Sequence, residues 1–330
     1  MRIALDAMGS DSRPVNDVAG AVAAAREFGV TVVLVGPEAL LKAELAKHQT
    51  QGLALEIENA TQLIEMDEHP ANAIRDKKDA SINVGLALVR NGKAAAFASA
   101  GNTGAVMAGA LVGAGRVGRI KGIERPALAA ALPQQGTPVL VIDVGANTDC
   151  KPEYLRQFAL MGSLYAAKVL GVAQPRVALL ANGEEDTKGD ALVQAAHALL
   201  KAEKGLHFTG NIEPKDVLRH QADVVVCDGF VGNIMLKTAE GVAAMLSDII
   251  RTEIKASAVT MLGGLLARPA FNRIRTRLDP SEVGGAPLLG VDGVVIIGHG
   301  RSNATAIKNM IHAAMRAVSS DVLGAIRQIS

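Results

Sequence analysis

Seven short apolar runs recur along the chain: Ile3 to Met8, Thr31 to Gly36, Ala95 to Ser99, Val139 to Val144, Arg176 to Leu180, Asp223 to Cys227 and Val294 to Ile297. Longer alanine-rich stretches separate them. The runs are apolar throughout rather than alternating, the pattern of strands buried on both faces. Strands alternating with helical stretches predict a mainly parallel sheet covered by helices on both sides. Most runs end in a Gly, Asn or Asp turn, so a ligand is expected at the carboxyl ends, with the donor turns crowded along one rim. No internal repeat, low-complexity tract or Pro/Ser linker divides the sequence, so one α/β unit over residues 1–330 is expected.

Composition removes several function classes. Lys plus Arg total 34 against 33 Asp plus Glu, so the chain lacks the basic excess of a generic nucleic-acid binder. Cys150 and Cys227 are the only cysteines and lack CxxC spacing, which points away from a disulfide scaffold and toward a reducing cytoplasm. The stretch MRIALDAMGSD has no long apolar core before a small-residue cleavage site and reads as a first strand. Ala94 to Gly115 is uncharged, but it is mostly Ala and Gly and includes Ser99, Asn102 and Thr103, a poor membrane span. Aromatic residues make up 2% of the chain with no Trp, too few to build stacking platforms for bases or sugars.

One segment breaks the α/β rhythm. Arg251, Lys255, Arg268, Arg273, Arg275 and Arg277 are opposed only by Glu253 and interleave with Leu262, Leu265, Leu266, Phe271 and Ile274. Gly263-Gly264 and Pro269 interrupt it, so two short amphipathic pieces are expected, within a protruding helical segment over residues 245–280.

The sharpest chemical signal is Ser99-Ala100-Gly101-Asn102-Thr103-Gly104, where a strand-like run passes through a tight turn into a helical pattern. Such a turn lets the backbone approach an anion, and the free N–H groups of the first helical turn point at it. The plainer reading is a helix capped by Ser99 or Asn102. Gly113, Gly115 and Gly118 satisfy GxGxxG but follow a helix instead of a strand, and are set aside as a dinucleotide site. Walker A, HExxH and GxSxG motifs are absent.

Further polar clusters close other runs: Asp143-Val144-Gly145-Ala146-Asn147, Asn182-Gly183-Glu184-Glu185-Asp186-Thr187-Lys188-Gly189, Asp228-Gly229-Phe230-Val231-Gly232-Asn233 and Gly298-His299-Gly300-Arg301-Ser302-Asn303. Each also has a structural reading. Lys188 follows three acids and fits a salt-bridged loop. Asn233 fits a cap for a helix beginning near Ile234. Asp6, Asp143 and Asp228 are conceivable as a metal triad, yet nothing in the sequence brings them together.

Taken together, these turns resemble the bacterial phosphate acyltransferase family, the acyl-acyl-carrier-protein:phosphate transacylases of phospholipid synthesis. The resemblance spans nearly the whole chain and rests on Ala4-Leu5-Asp6-Ala7-Met8-Gly9, Lys77-Lys78-Asp79-Ala80-Ser81, the Ser99 to Gly104 turn, the three clusters from Asp143, Asn182 and Gly229, Gly284-Gly285-Ala286-Pro287-Leu288-Leu289-Gly290, and His299-Gly300. Ser10 and Val283 depart from the usual pattern, where Gly and Tyr are common; Ser10 is expected to tighten the first turn.

The resemblance implies a Rossmann-like α/β/α sandwich related to phosphotransacetylases and isopropylmalate dehydrogenases, working as a homodimer without cofactor or metal. It implies transfer of a fatty acyl group from acyl carrier protein to inorganic phosphate, supplying a membrane glycerol-3-phosphate acyltransferase. By that analogy Lys188 and Asn233 are the catalytic residues. Asp6, Gly9, Ser99, Gly101, Asn102, Thr103, Gly104, Asp143, Asn147, Glu184, His299 and Ser302 are expected to bind phosphate or substrate. Leu262, Leu265, Leu266, Arg268, Phe271, Arg273 and Arg275 are expected to meet an anionic membrane surface or the carrier protein, or else to pack at the dimer interface. The expected location is the cytoplasm, peripherally at the inner face of the cell membrane. Two alternatives are a nicotinamide-dependent decarboxylating dehydrogenase of related fold, for which neither an adenine-binding acid nor a carboxylate cluster is apparent, and a non-catalytic membrane scaffold, which leaves the polar turns unexplained.

Overall fold

The computed structural model describes residues 1–134, 136–278 and 284–329, with backbone only at 272 and 275–278. Val283 lies outside the described residues. All seven predicted runs are strands, several trimmed at the ends: β1 (Arg2–Asp6), β2 (Thr31–Gly36), β4 (Ala96–Ser99), β6 (Val139–Ile142), β7 (Val177–Leu180), β9 (Val224–Val226) and β11 (Val294–Ile297). Four more were not anticipated: β3 (Leu55–Asn59), β5 (Ala127–Leu132), β8 (Phe208–Ile212) and β10 (Ala286–Leu289). β3 and β8 form the outer edges of the sheet, where solvent reaches them and polar residues break the apolar run. β5 is ALAAAL, which in isolation favours helix, and β10 is a four-residue strand containing Pro287.

The eleven strands form one sheet in the order β3-β2-β1-β4-β11-β10-β5-β6-β9-β7-β8. Strands β3, β2, β1, β4 and β11 are mutually parallel. The pairs β11/β10, β10/β5 and β5/β6 are each antiparallel, and β6, β9, β7 and β8 are again parallel. Three successive reversals leave the β6 group running opposite to the β1 group.

Alternate residues of the inner strands enter two separate cores, which is why the runs are apolar throughout. Ile3 and Leu5 face α1 (Val15–Phe28) and α10 (Ala304–Ser319), in a layer that continues through Leu140 and Ile142 to α6 (Pro152–Lys168). Ala4 and Phe97 face α4 (Ser81–Arg90) and α5 (Thr103–Val112). Small residues bring these layers close: a Cβ on Gly20 of α1 would sit 2.5 Å from the Ile307 Cβ of α10. The shorter α2 (Glu38–Leu45) and α3 (Pro70–Asp76) lie in the first half, and α7 (Ala191–Ala202) and α11 (Val322–Gln328) pack beside α6.

The basic, apolar segment is a helical hairpin, but it breaks elsewhere than expected. α8 spans Gly229–Ile254 and α9 spans Ala258–Leu278, running through Gly263, Gly264 and Pro269 without interruption. The turn falls at 255–257. Ser257 and Thr260 form a reciprocal cap there, each main-chain N–H donating to the other's hydroxyl at 3.0 and 3.1 Å. Gly264 serves close approach: a Cβ there would meet Ile254 Cγ2 at 2.5 Å. Apolar exposure also starts well before residue 245, at Phe230, Val231 and Ile234. Leu262, Leu265 and Leu266 are 61%, 62% and 75% exposed, Arg268 and Arg273 are exposed, and Phe271 is half-buried. The Arg275 side chain lies outside the described residues. Among the described residues no helix is long and apolar enough to cross a membrane.

Candidate active site

The reversal of the sheet divides the polar turns between two rims. Those after β1, β4 and β11 adjoin at one end of the strands, and those after β6, β9 and β7 adjoin at the other. The single rim expected from the sequence required an all-parallel sheet, and the antiparallel β10 and β5 overturn it. Asp6 is therefore not brought together with Asp143 and Asp228. Among the described residues no group of three His, Cys, Asp or Glu could hold a metal.

On the first rim most of the predicted binding side chains are committed internally. Ser99 Oγ donates to Asp6 Oδ2 at 2.7 Å and accepts the Gly101 N–H at 3.0 Å. Asp6 is buried, and burial pushes its carboxyl above the usual range. Asn102 is the N-cap of α5: its Oδ1 accepts the Ala105 N–H at 3.0 Å, and its Nδ2 donates to the carbonyls of Glu65, Met66 and Glu68. Asn102 thus makes the cap expected of it. Gly9 packs against the turn so closely that a Cβ would lie 2.7 Å from the Gly101 nitrogen. Thr103 is exposed, and Pro70 covers Gly104. Two cations nearby are paired, Arg13 with Glu65 at 2.7 Å and Lys77 with Glu68 at 2.5 Å.

His299 and Ser302 close the same rim. Ser302 Oγ donates to the His299 carbonyl at 2.5 Å, and His299 Nδ1 accepts the Arg301 N–H at 3.3 Å. Burial, with Arg301 and Lys237 nearby, holds the imidazole below its ordinary pKa, so it is neutral at pH 7. Lys237 and Glu240 belong to α8, which therefore starts on the second rim and comes within electrostatic reach of the first.

The second rim is organised by Asp143, again buried and pushed up by desolvation. Its Oδ1 accepts the N–H groups of Leu128, Gly145 and Ala146 at 3.1, 3.0 and 2.9 Å. Asn147 donates to it and to the Pro126 carbonyl. The α8 N-terminus is equally closed. Asp228 Oδ1 accepts the N–H groups of Phe230 and Val231 at 2.9 and 3.0 Å, and Gly229 N–H donates to the Asn147 carbonyl at 2.7 Å. No main-chain donor of that first turn is left for a ligand.

Two side chains of this rim, Asn233 and Lys188, are not committed in this way among the described residues. Asn233 is not the cap foreseen for it, because the helix begins four residues earlier at Gly229. Its exposed amide lies over Gly145, where a Cβ would come 3.7 Å from Nδ2, and it has no partner among the described residues. Lys188 is exposed and ion-paired with no carboxylate among them, although three acids precede it. The pairs of that loop are made instead by Asp186, with Lys201 at 2.7 Å and His197 at 3.3 Å. Lys188 and Asn233 follow neighbouring strands, since β7 and β9 pair in parallel. Glu184 is exposed and acts on Lys215.

Cys150 stands beside this rim, yet burial and the charges of Asp143 and Asp228 push its thiol up to about 12, and Cys227 is raised as well. Neither is a ready thiolate nucleophile at neutral pH. Sequence reasoning missed one buried pair: Ser10 Oγ donates to Asp17 Oδ2 at 2.6 Å, so the departure at Ser10 supports a buried acid in α1. The available signal was an acidic residue in the first turn of a helical pattern, which reads as an ordinary surface position.

Comparison with known proteins places this geometry in context. The family described as "Fatty acid synthesis protein" matches residues 1–324. The phosphate acyltransferase of Heliobacterium modesticaldum is 51% identical, over 99% of this chain and 97% of that one. That of Herpetosiphon aurantiacus is 49% identical, over 99% and 96%. Among solved structures, EutD phosphotransacetylase from Staphylococcus aureus superposes with a TM-score of 0.60 at 16% identity, over 97% of this chain and 94% of that one. A 4-hydroxythreonine-4-phosphate dehydrogenase from Klebsiella pneumoniae superposes with a TM-score of 0.53 at 17% identity, over 96% and 99%. These two likenesses show the shared α/β fold.

Proposed function

The chain belongs to the phosphate acyltransferase family and is an enzyme, an acyltransferase of lipid biosynthesis; from that premise we propose that it moves a fatty acyl group from acyl-acyl carrier protein to inorganic phosphate, on the rim that carries Lys188 and Asn233. The observation that carries this reading is the pair of side chains, one cationic and one amide, with no hydrogen-bond or ion-pair partner among the described residues, beside a turn and an α8 N-terminus whose main-chain donors are occupied.

A phosphate oxygen attacks the thioester carbonyl carbon, the C–O bond forms, the C–S bond breaks, and the carrier protein leaves as its thiolate. Phosphate is substantially dianionic at neutral pH, and a thiol of pKa about 8.5 leaves readily, so neither partner demands a strong acid or base. What the reaction needs is placement and charge stabilisation. Lys188 neutralises phosphate and the charge growing on the carbonyl oxygen, and Asn233 donates to that oxygen or to phosphate. The raised Cys150 thiol supports direct attack rather than an acyl-cysteine intermediate.

The exposed α8–α9 hairpin supports a further part of the proposal. Its leucines and arginines rest on an anionic membrane surface at the inner face of the cell membrane, where a homodimer hands acyl phosphate to a membrane glycerol-3-phosphate acyltransferase. Docking of the acidic carrier protein on the arginines is the competing use of the same face.

The decisive test is release of free carrier protein with and without phosphate, with detection of the acyl phosphate. Parent enzyme should release carrier protein only when phosphate is present. Folded Lys188→Ala should lose about a hundredfold in rate, the effect of about 3 kcal/mol in barrier. Near-normal acyl phosphate formation by that variant would overturn the role of Lys188.

A further inference from the structure

We propose that one face of α7 is a clamp that positions Lys188, and that Gln194 is its key positioning residue; this deepens, and rests on, the reading of Lys188 as the ammonium that serves phosphate. Gln194, His197 and Lys201 are spaced i, i+3 and i+7 and so share one helix face. All three hold the loop between β7 and α7. Gln194 Nε2 donates to the Thr187 carbonyl at 2.9 Å and to the Gly189 carbonyl at 3.0 Å, the two residues that flank Lys188. Lys201 Nζ and His197 Nε2 meet the two oxygens of Asp186 at 2.7 and 3.3 Å.

The opposite side of the loop is tied as well. Asn182 Oδ1 accepts the Gly189 N–H at 2.9 Å, and Asn211 Nδ2 donates to the Glu185 carbonyl at 2.8 Å. The Lys188 N–H donates to the Glu185 carbonyl at 2.9 Å. The main chain is therefore pinned before and after Lys188, while its own ammonium stands exposed and without an ion pair among the described residues.

Gln194 is itself exposed, and so is most of the loop, so these bonds bury little apolar surface. Exposed hydrogen bonds of this kind add modestly to stability. Their geometric effect is larger. One amide bridging two carbonyls on either side of a single residue fixes where the Lys188 Cα stands and which way its side chain leaves the loop. Misplacing a reacting group by about 1 Å commonly lowers a rate by roughly a hundredfold.

The test is a double-mutant cycle. Gln194→Met keeps the length of the side chain and removes the donor. Acyl phosphate formation is measured against phosphate concentration for the parent, Gln194→Met, Lys188→Ala and the double variant, with circular dichroism and the thermal midpoint of each. Gln194→Met should remain folded, with kcat/KM for phosphate lowered about tenfold or more. In the Lys188→Ala background the same change should have little further effect, because Gln194 acts through the ammonium. Where Lys188→Ala falls below detection, Lys188→Arg serves as the background, and there Gln194→Met should cost less than in the parent.

Gln194→Met with parental kinetics overturns the inference, and so does an equal loss in both backgrounds. Full activity of Lys188→Ala instead overturns the reading of Lys188, a separate result from a separate variant.

Discussion

Asn147 closes on Asp143 twice, its main-chain N–H and its Nδ2 both reaching Asp143 Oδ2, at 2.7 and 2.9 Å. With three more N–H groups on Oδ1, the carboxylate shapes the turn that lies beneath Asn233. Asp143→Asn keeps the shape but turns an NH2 group toward main-chain donors. Buried donors left without acceptors are destabilising by about 1–3 kcal/mol. A lower urea midpoint together with reduced turnover is the expected result, and an unchanged midpoint contradicts this account of the turn.

Asn233 should act on rate rather than stability. Its side chain is exposed and bonded to no described residue, so Asn233→Ala removes nothing that the fold relies on. Loss of one such donor commonly lowers kcat about a hundredfold. Steady-state kinetics beside a thermal melt separate the two effects; a large drop in melting temperature would assign Asn233 to the fold.

Asp17 gives a pH dependence with a definite sign. Burial raises its pKa to about 7, against a Ser10 hydrogen bond that lowers it, and its Oδ1 has no partner among the described residues. The folded protein keeps this proton up to about pH 7, whereas the unfolded chain releases it near pH 4. Between those values the folded state binds more protons, so Asp17 makes stability fall as pH rises, and the loss is complete above about pH 7. The amide of Asp17→Asn cannot ionise. Relative to the parent, the variant should gain stability with pH by up to about 1.4 kcal/mol per unit between pH 4 and 7 and no more above that. Denaturant unfolding across pH 4–9 checks it, and parallel curves for the two proteins would refute it.

The hairpin makes a surface prediction. Leu265 is 62% exposed on α9, so Leu265→Glu leaves the core untouched and places a negative charge among the arginines. Flotation with vesicles containing anionic lipid should fall sharply for this variant while soluble acyl transfer persists. Undiminished flotation would remove this patch from the membrane contact and favour the carrier protein or a second copy of the chain on the same face.

The inner strands were legible because both of their faces are buried, and an unbroken apolar run leaves little alternative. Edge strands β3 and β8 escaped because solvent admits Glu56, Glu58 and Thr209 into them, and β5 because ALAAAL carries no local preference for a strand. Those omissions mattered for the site. Without the antiparallel β5 and β10, the polar turns fall on one rim, whereas the real sheet separates Ser99 and Asn102 from Lys188 and Asn233. The turns themselves were visible as Gly, Asn and Asp clusters. Which of their polar atoms stay uncommitted was not, since a cap such as Asn102 and an exposed amide such as Asn233 carry the same letter. The hairpin shows a similar limit: Gly263-Gly264 and Pro269 argue for breaks, but the capped turn at Ser257 and the contact of Gly264 with Ile254 decide otherwise.

The seam between α1 and α10, where Gly20 abuts Ile307, ties together two elements far apart along the chain. The β4 edge likewise finds its inner neighbour only in β11. While a ribosome adds the intervening residues, at about 5–20 per second, the first four strands wait roughly 10–40 s with one side unroofed. Truncation ahead of α10 would therefore leave the α1 face around Gly20 uncovered, however complete the rest of the sheet.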